Sequence, residues 1–212
     1  MKSQRLAWSG WIVAGLLAGV MVGSGFQTPS IKLGVVDLNS VIDKSDAGKA
    51  AKKSFDDMKA ARESILEFLD QYRVLTIEQA TRIRELTLKP ERAKTEDAEM
   101  DRIKAEVIAA SKRSQELSTK ASLTPEERTL VEEYSRRSQL MNDLSNRWLR
   151  EFADEMNKWV NERKDENYQK GRVAVNEVAA KEGYTMVFEG TVALYGANDI
   201  TDATLVAMNA KK

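Results

Sequence analysis

The chain has 212 residues, 31% of them charged, with Lys plus Arg equal to Asp plus Glu at 33 each and only 11 Gly and 3 Pro. That balance suits long helices better than a compact mixed core, and it lacks the one-sided charge of a nucleic-acid binder. The sequence contains neither Cys nor His, which removes thiol nucleophiles, disulfides, Cys/His zinc sites and the usual general base near neutral pH.

The N-terminus reads as a secretory signal over residues 1–25. Lys2 and Arg5 form a positive start, Trp11 to Val22 is an uncharged apolar run, and Gly23-Ser24-Gly25 offers small residues for cleavage. The apolar run is nearer a dozen residues than the roughly twenty a spanning helix needs, although a generous reading from Trp8 to Phe26 approaches an uncleaved anchor. The mature chain is expected to begin near Phe26 or Gln27, outside the cytoplasm and away from ATP.

Residues 26–44 carry the first strand, Ile31 to Leu38, in which Ile31, Leu33 and Val35 alternate and Val36 and Leu38 add a second apolar face. Ser45 or Asp46 then caps a helix with Ala51, Met58, Ile65, Tyr72 and Leu86 at multiples of seven and Ala47, Ala61, Phe68 and Leu75 on a companion seam. Pro90 removes a backbone donor and disfavours helix at Lys89, so a break is expected near 88–95. Met100, Ile103, Val107, Ala110 and Leu117 mark a second helical segment that runs out in a turn near 118–125. Thr124-Pro125-Glu126-Glu127 starts a third, because Thr caps, Pro fits the first turn and Glu answers the cap. Tyr134, Met141, Leu144, Trp148, Phe152, Met156 and Trp159 share one side of that helix, which runs to about Lys181 and spans roughly 85 Å.

The 45–182 arm thus leaves the first strand and returns beside it, with Gly183 ending the return helix. In 183–212, Tyr184 to Glu189 and Thr191 to Tyr195 flank Gly190 as a hairpin, and Thr201 caps a last helix through Met208 or Asn209. Three short strands with apolar residues on both faces cannot bury themselves in one protomer, so oligomerisation is expected. The assembly-core candidates are Val35, Val36, Leu38, Val187, Phe188, Val192, Leu194 and Tyr195.

Two stretches, "LGVVDLNSVIDKSDAGKAAKKSF" and "VAAKEGYTMVFEGTVALYGANDITDATLVAMN", resemble the two ends of the OmpH-like (Skp) family. The likeness rests on Asp37, Ala47-Gly48-Lys49, Gly183-Tyr184 and Asp199-Ile-Thr-Asp202; the middle matches only as charged helix. The resemblance implies a mainly α fold with a small β core. In it, long helical hairpin arms project from a trimeric, short-stranded assembly core around a cavity for unfolded outer-membrane proteins. It also implies ATP-independent holding of those clients in the periplasm. The arms here depart from the best-known member's basic character by being balanced in sign, and Pro90 and the segment after it add helix to the hairpin.

No phosphate-binding loop or nucleophile elbow is present; the nearest fragment, Asp46-Ala-Gly-Lys-Ala50, lacks the earlier Gly and puts Ala where Ser or Thr would hold magnesium. No catalytic, cofactor or metal residue is therefore expected, and the protein is read as a non-enzyme. The partners expected are unfolded outer-membrane proteins and copies of itself, with no nucleic acid, and the membrane is met only through the signal or transiently. Client-binding candidates are Met58, Ile65, Phe68 and Leu69 on the outgoing helix and Met141 and Met156 on the return, whose flexible side chains suit varied partners. Trp148, Phe152 and Trp159 are read as core. A structural coiled-coil protein of the envelope is the competing reading, since it uses the same stripes entirely in helix packing; a membrane-anchored adaptor with an uncleaved signal is a third.

Overall fold

A computed structural model describes residues 31–193 and 198–211. The signal-like segment 1–25 and the assembly-core candidates Leu194 and Tyr195 lie outside the described residues. The elements in chain order are β1 (Leu33–Val36), α1 (Leu38–Lys44), α2 (Asp46–Gln71), α3 (Ile77–Leu88), α4 (Lys94–Ser118), α5 (Pro125–Glu182), β2 (Met186–Glu189) and α6 (Thr201–Asn209). The protein is mainly α with a small sheet, as expected. Among the described residues no helix is long and apolar enough to cross a membrane.

The base is built where the first and last described elements meet. β1 stops at Val36 instead of running to Leu38, because the Asp37 carboxylate accepts the Ser40 N–H at 2.8 Å and opens α1 one residue later. Leu38 therefore buries its side chain from a helix. Ser45 closes α1 and caps α2: its hydroxyl donates to the Ile42 carbonyl at 2.7 Å and accepts the Gly48 N–H at 2.9 Å. The chain turns so tightly here that a Cβ on Gly48 would lie 1.9 Å from the Ile42 oxygen, a distance only glycine avoids. At the far end of α5, Gly183 adopts φ 72° as a left-handed helix stop, as the sequence indicates.

β2 pairs in parallel with β1, in the register Leu33 to Met186 and Val35 to Phe188. On β1's other edge Asn198 and Ile200 bond to Val35, its N–H donating to the Asn198 carbonyl at 2.9 Å and its carbonyl accepting the Ile200 N–H at 2.8 Å. The expected hairpin is replaced. Thr191 and Val192 form a turn closed by the Val192 and Ala193 N–H groups on the Glu189 carbonyl, and β2 takes its partner from the start of the chain. Thr201 is the first residue of α6, not its cap; its hydroxyl accepts the Asp37 N–H at 2.9 Å, and Asp199 takes the Thr201 N–H at 2.9 Å. The Thr201 hydroxyl and N–H beside Asp199 hold that carboxyl below the usual carboxylate range. Val36, Val41, Ala174, Val178, Ile200 and Met208 close the base core.

The arm is a four-helix assembly. α2 and α5 run antiparallel, α3 and α4 fold back on each other around Pro90, and α4 and α5 meet at the 119–124 turn. α5 is 58 residues long, about 87 Å, and its start carries the Thr124 and Glu127 capping box and Pro125 that its sequence announces. The break between α2 and α3 is the difference from the sequence reading. Val74 and Leu75 turn inward and are buried, and Thr76 starts α3 with a capping box to Gln79. Leu75 falls seven residues after Phe68, so heptad spacing carried the helix through a turn whose signal, Thr76-Ile77-Glu78-Gln79, is a helix start. Thr76→Ala removes that cap and should lower arm stability by about 1 kcal/mol, read as a lower midpoint in chemical denaturation; an unchanged midpoint would show that Leu75 burial alone fixes the turn.

Candidate functional site

The arm has one large core and, between it and the base, a neck where two helices, α2 and α5, pass alone among the described residues. The arm core runs from Ile65 and Leu69 through Leu75, Ile83 and Leu86 to Met141, Trp148 and Phe152. α3 covers this stretch of α5. Its Arg84 guanidinium lies 5.0 Å from the Trp148 ring and 4.9 Å from the Phe152 ring, and pairs with Glu151 at 2.8 Å and Glu155 at 3.4 Å. Arg62 approaches the same Phe152 ring from α2 at 5.5 Å and meets Glu155 at 2.8 Å. Glu155 thus joins α2 and α3 to α5 where the four-helix part ends.

Toward the base the apolar faces of α2 and α5 lose their cover. Phe55 and Trp159 stack across the neck with centroids 6.2 Å apart at 37°. On one side of this pair lies a hollow of about 520 Å³ with Ile42, Ala51, Val160 and Tyr168 in its wall; beyond it a second, of about 380 Å³, is lined by Leu66, Leu149, Phe152 and Met156. Phe55 and Val160 border both. The lining positions of α2 (48, 51, 52, 55, 59, 62, 63, 66) and of α5 (149, 152, 153, 156, 157, 159, 160, 163, 164, 167, 168) recur at spacings of three and four, so each set lies on one helix face and the two hollows form one groove. Leu149 is 56% exposed and Val160 40% exposed, which is costly for side chains of this kind unless something covers them.

A second uncovered surface is the outer face of the sheet. Alternation turns Gly34 and Val36 inward, and Val187 packs against the base core. Leu33, Met186 and Phe188 face outward and are exposed, and the register sets Leu33 beside Met186 and Val35 beside Phe188. Ile31 and Val192 extend the same apolar exposure at the sheet's ends.

The candidate residues divide between these surfaces and the cores. Ile65, Leu69 and Met141 are buried inside the arm, and Phe68 is half-buried against that core, stacked on Tyr72 at 4.8 Å. Met58 is half-buried on the neck and Met156 lines the groove. Of the assembly-core candidates, Val36 and Leu38 are buried within the protomer, Val35 and Val187 are half-buried, and Phe188 and Val192 are exposed. The sequence reading passed over Phe55, Leu149 and Val160. Phe55 stands four residues after Ala51 and three before Met58, so a three-four count would have found it where a strict seven-residue count did not. Trp148 and Phe152 are core, whereas Trp159 is half-buried at the groove.

The arm's charge perturbations sit away from the groove, at caps and ion pairs. Lys89 and the Ala93 N–H hold the Glu96 carboxyl below its ordinary range, Lys120 and the Thr124 N–H do the same for Glu127, and the Arg82 guanidinium for Glu99. These groups fasten helix starts and the α3/α4 pair.

The model of the family described as "Outer membrane protein (OmpH-like)" matches residues 32–208. No curated protein and no solved structure matches the chain.

Proposed function

The chain belongs to the OmpH-like outer membrane protein family, periplasmic chaperones of outer-membrane proteins, and from that premise we propose that it is an ATP-independent holdase for unfolded outer-membrane proteins. The observation that carries this reading is the neck groove between α2 and α5, where Leu149 and Val160 of α5 expose apolar surface that nothing among the described residues covers. Such a surface holds an unfolded chain by many weak apolar contacts, each buried side chain contributing about 1.5 to 3 kcal/mol before ordering costs. Release then requires only that the client folds. The open sheet face, Leu33, Met186 and Phe188, supports self-assembly as a trimer, with the arms extending from a shared base. Transport across the inner membrane on the N-terminal signal places the protein beside its clients. The mature protein should keep a urea-unfolded β-barrel protein soluble on dilution without nucleotide; aggregation as fast as in buffer alone would defeat the holdase reading.

A specific observation favours a second reading. Ile65, Leu69 and Met141, half of the six client-binding candidates, are consumed by packing inside the arm, as a structural coiled-coil protein of the envelope would use them. That protein would fail the dilution assay while keeping its fold and assembly.

A further inference from the structure

The neck groove has a length and a charge that narrow what it accepts. Its wall runs along α5 from Leu149 to Tyr168, nineteen helical steps or about 29 Å. An extended chain covers that distance in about nine residues. A transmembrane β-strand is about 9 to 11 residues long. The groove therefore matches one strand of a membrane barrel in length.

The floor and rim match the same segment in chemistry. Barrel strands alternate apolar and polar side chains, so a segment of such a protein presents a continuous apolar edge only when extended. Phe55, Met156, Val160 and Leu149 give that edge a floor. The whole chain is neutral by count, but the groove is not: five of its lining residues are basic, against two acids, Asp43 and Glu63. Glu63 already pairs with Lys59 at 3.6 Å. Arg62 and Arg163 are held by Glu155 and Glu166, whereas Lys52 and Lys164 have no ion-pair partner among the described residues. These two cations, Lys52 and Lys164, the latter 5.9 Å from the Tyr168 ring centroid, carry no ion pair among the described residues and lie beside an apolar floor at the base end of the groove, where they attract an acidic side chain on the exposed edge of the bound segment.

Resting on the holdase reading, we propose that the neck groove binds one extended, strand-length segment of unfolded outer-membrane protein, with alternate apolar side chains on Phe55, Met156 and Val160 and acidic side chains against Lys52 and Lys164. The groove is thereby selective for alternating apolar and acidic segments and reads one strand at a time.

The test uses the mature protein and a fluorescently labelled peptide of about ten residues alternating Val or Leu with Glu or Ser. Fluorescence anisotropy should show saturable binding by the wild type. Val160→Glu, at an exposed position, should weaken it at least about tenfold without changing the helical circular dichroism signal, because a charge replaces the floor. Lys52→Glu combined with Lys164→Glu should weaken the Glu peptide about tenfold and tighten a version with Lys in place of Glu. Absence of peptide binding by the wild type overturns the proposal, as does equal binding of an amphipathic helical peptide of the same composition. A shift of oligomeric state in Val160→Glu on sedimentation also overturns it, since the groove would then be an interface between copies. Holding of a full-length unfolded barrel protein, measured in parallel, keeps the two readings apart. If wild type and Val160→Glu hold it equally while the peptide fails to bind, the groove assignment falls and the holdase stands; if neither holds it, the holdase reading falls.

Discussion

Phe188→Asp should dissolve the assembly into protomers while leaving the protomer folded. Phe188 is 36% exposed on the outer face of β2, beside Val35 in register and one alternation from Met186, so its ring contributes to no core among the described residues. In a shared base that ring is buried, a gain of about 1.5 to 3 kcal/mol per protomer. Asp at the same place forfeits that gain and carries an unpaired carboxylate into an apolar interface, at a further cost of several kcal/mol. The penalty recurs in every copy, which exceeds what a marginal assembly spares. Light scattering should report the protomer mass for Phe188→Asp and a multiple of it for the wild type. A wild-type protein that runs as a monomer would remove the shared base, and a mutant that keeps the full mass would move the interface elsewhere. Val187→Asp makes an informative contrast: Val187 packs inward against the base core, so the same charge there should unfold the base and lose assembly only as a consequence.

That contrast marks how far the sequence could be read. The apolar residues of "MVFE" identify a strand, but which of Val187 and Phe188 faces the protomer depends on the register with β1, more than 150 positions away. Nothing local encodes that partner. The structure departs from the hairpin expectation for the same reason: Gly190 looks like a hairpin turn, yet the return of α5 sets β2 in parallel beside β1, and Thr191 and Val192 turn on the Glu189 carbonyl. Local chemistry was a better guide at helix ends. Ser45, Thr124 with Glu127, Pro125 and Gly183 act as their types require, because capping depends on residues within one turn. The groove lay between these cases. Its wall positions are legible as a three-four pattern on each helix, but that they stay uncovered follows from where α3 begins and ends, and hence from the Thr76 turn and Pro90 together.

Trp148→Ala should loosen the arm and spare the base. Trp148 is 3% exposed in the arm core, 6.3 Å from Phe152 by ring centroids, and it supplies one of the two aromatic faces on which Arg84 rests. Truncating a buried Trp costs about 3 to 5 kcal/mol through lost contacts and the cavity left behind. Arg84 keeps Glu151, Glu155 and the Phe152 ring but loses the Trp148 face, so the hold of α3 on α5 is weakened at the same stroke. α3 and α4 owe their place to this core; the base closes separately around Val36, Val41, Ala174, Val178, Ile200 and Met208. The two cores share no residue, and among the described residues the neck helices α2 and α5 join them. Hydrogen exchange should therefore accelerate by a factor on the order of a hundred or more across α3 and α4, the size expected when local opening becomes cheaper by about 3 kcal/mol or more, while amides of β1 and α6 change little. Equal acceleration in both regions would mean that the neck couples arm and base into one cooperative unit. In that case the groove between them would open and close with the whole fold, and a client bound there would stabilise the base as strongly as the arm.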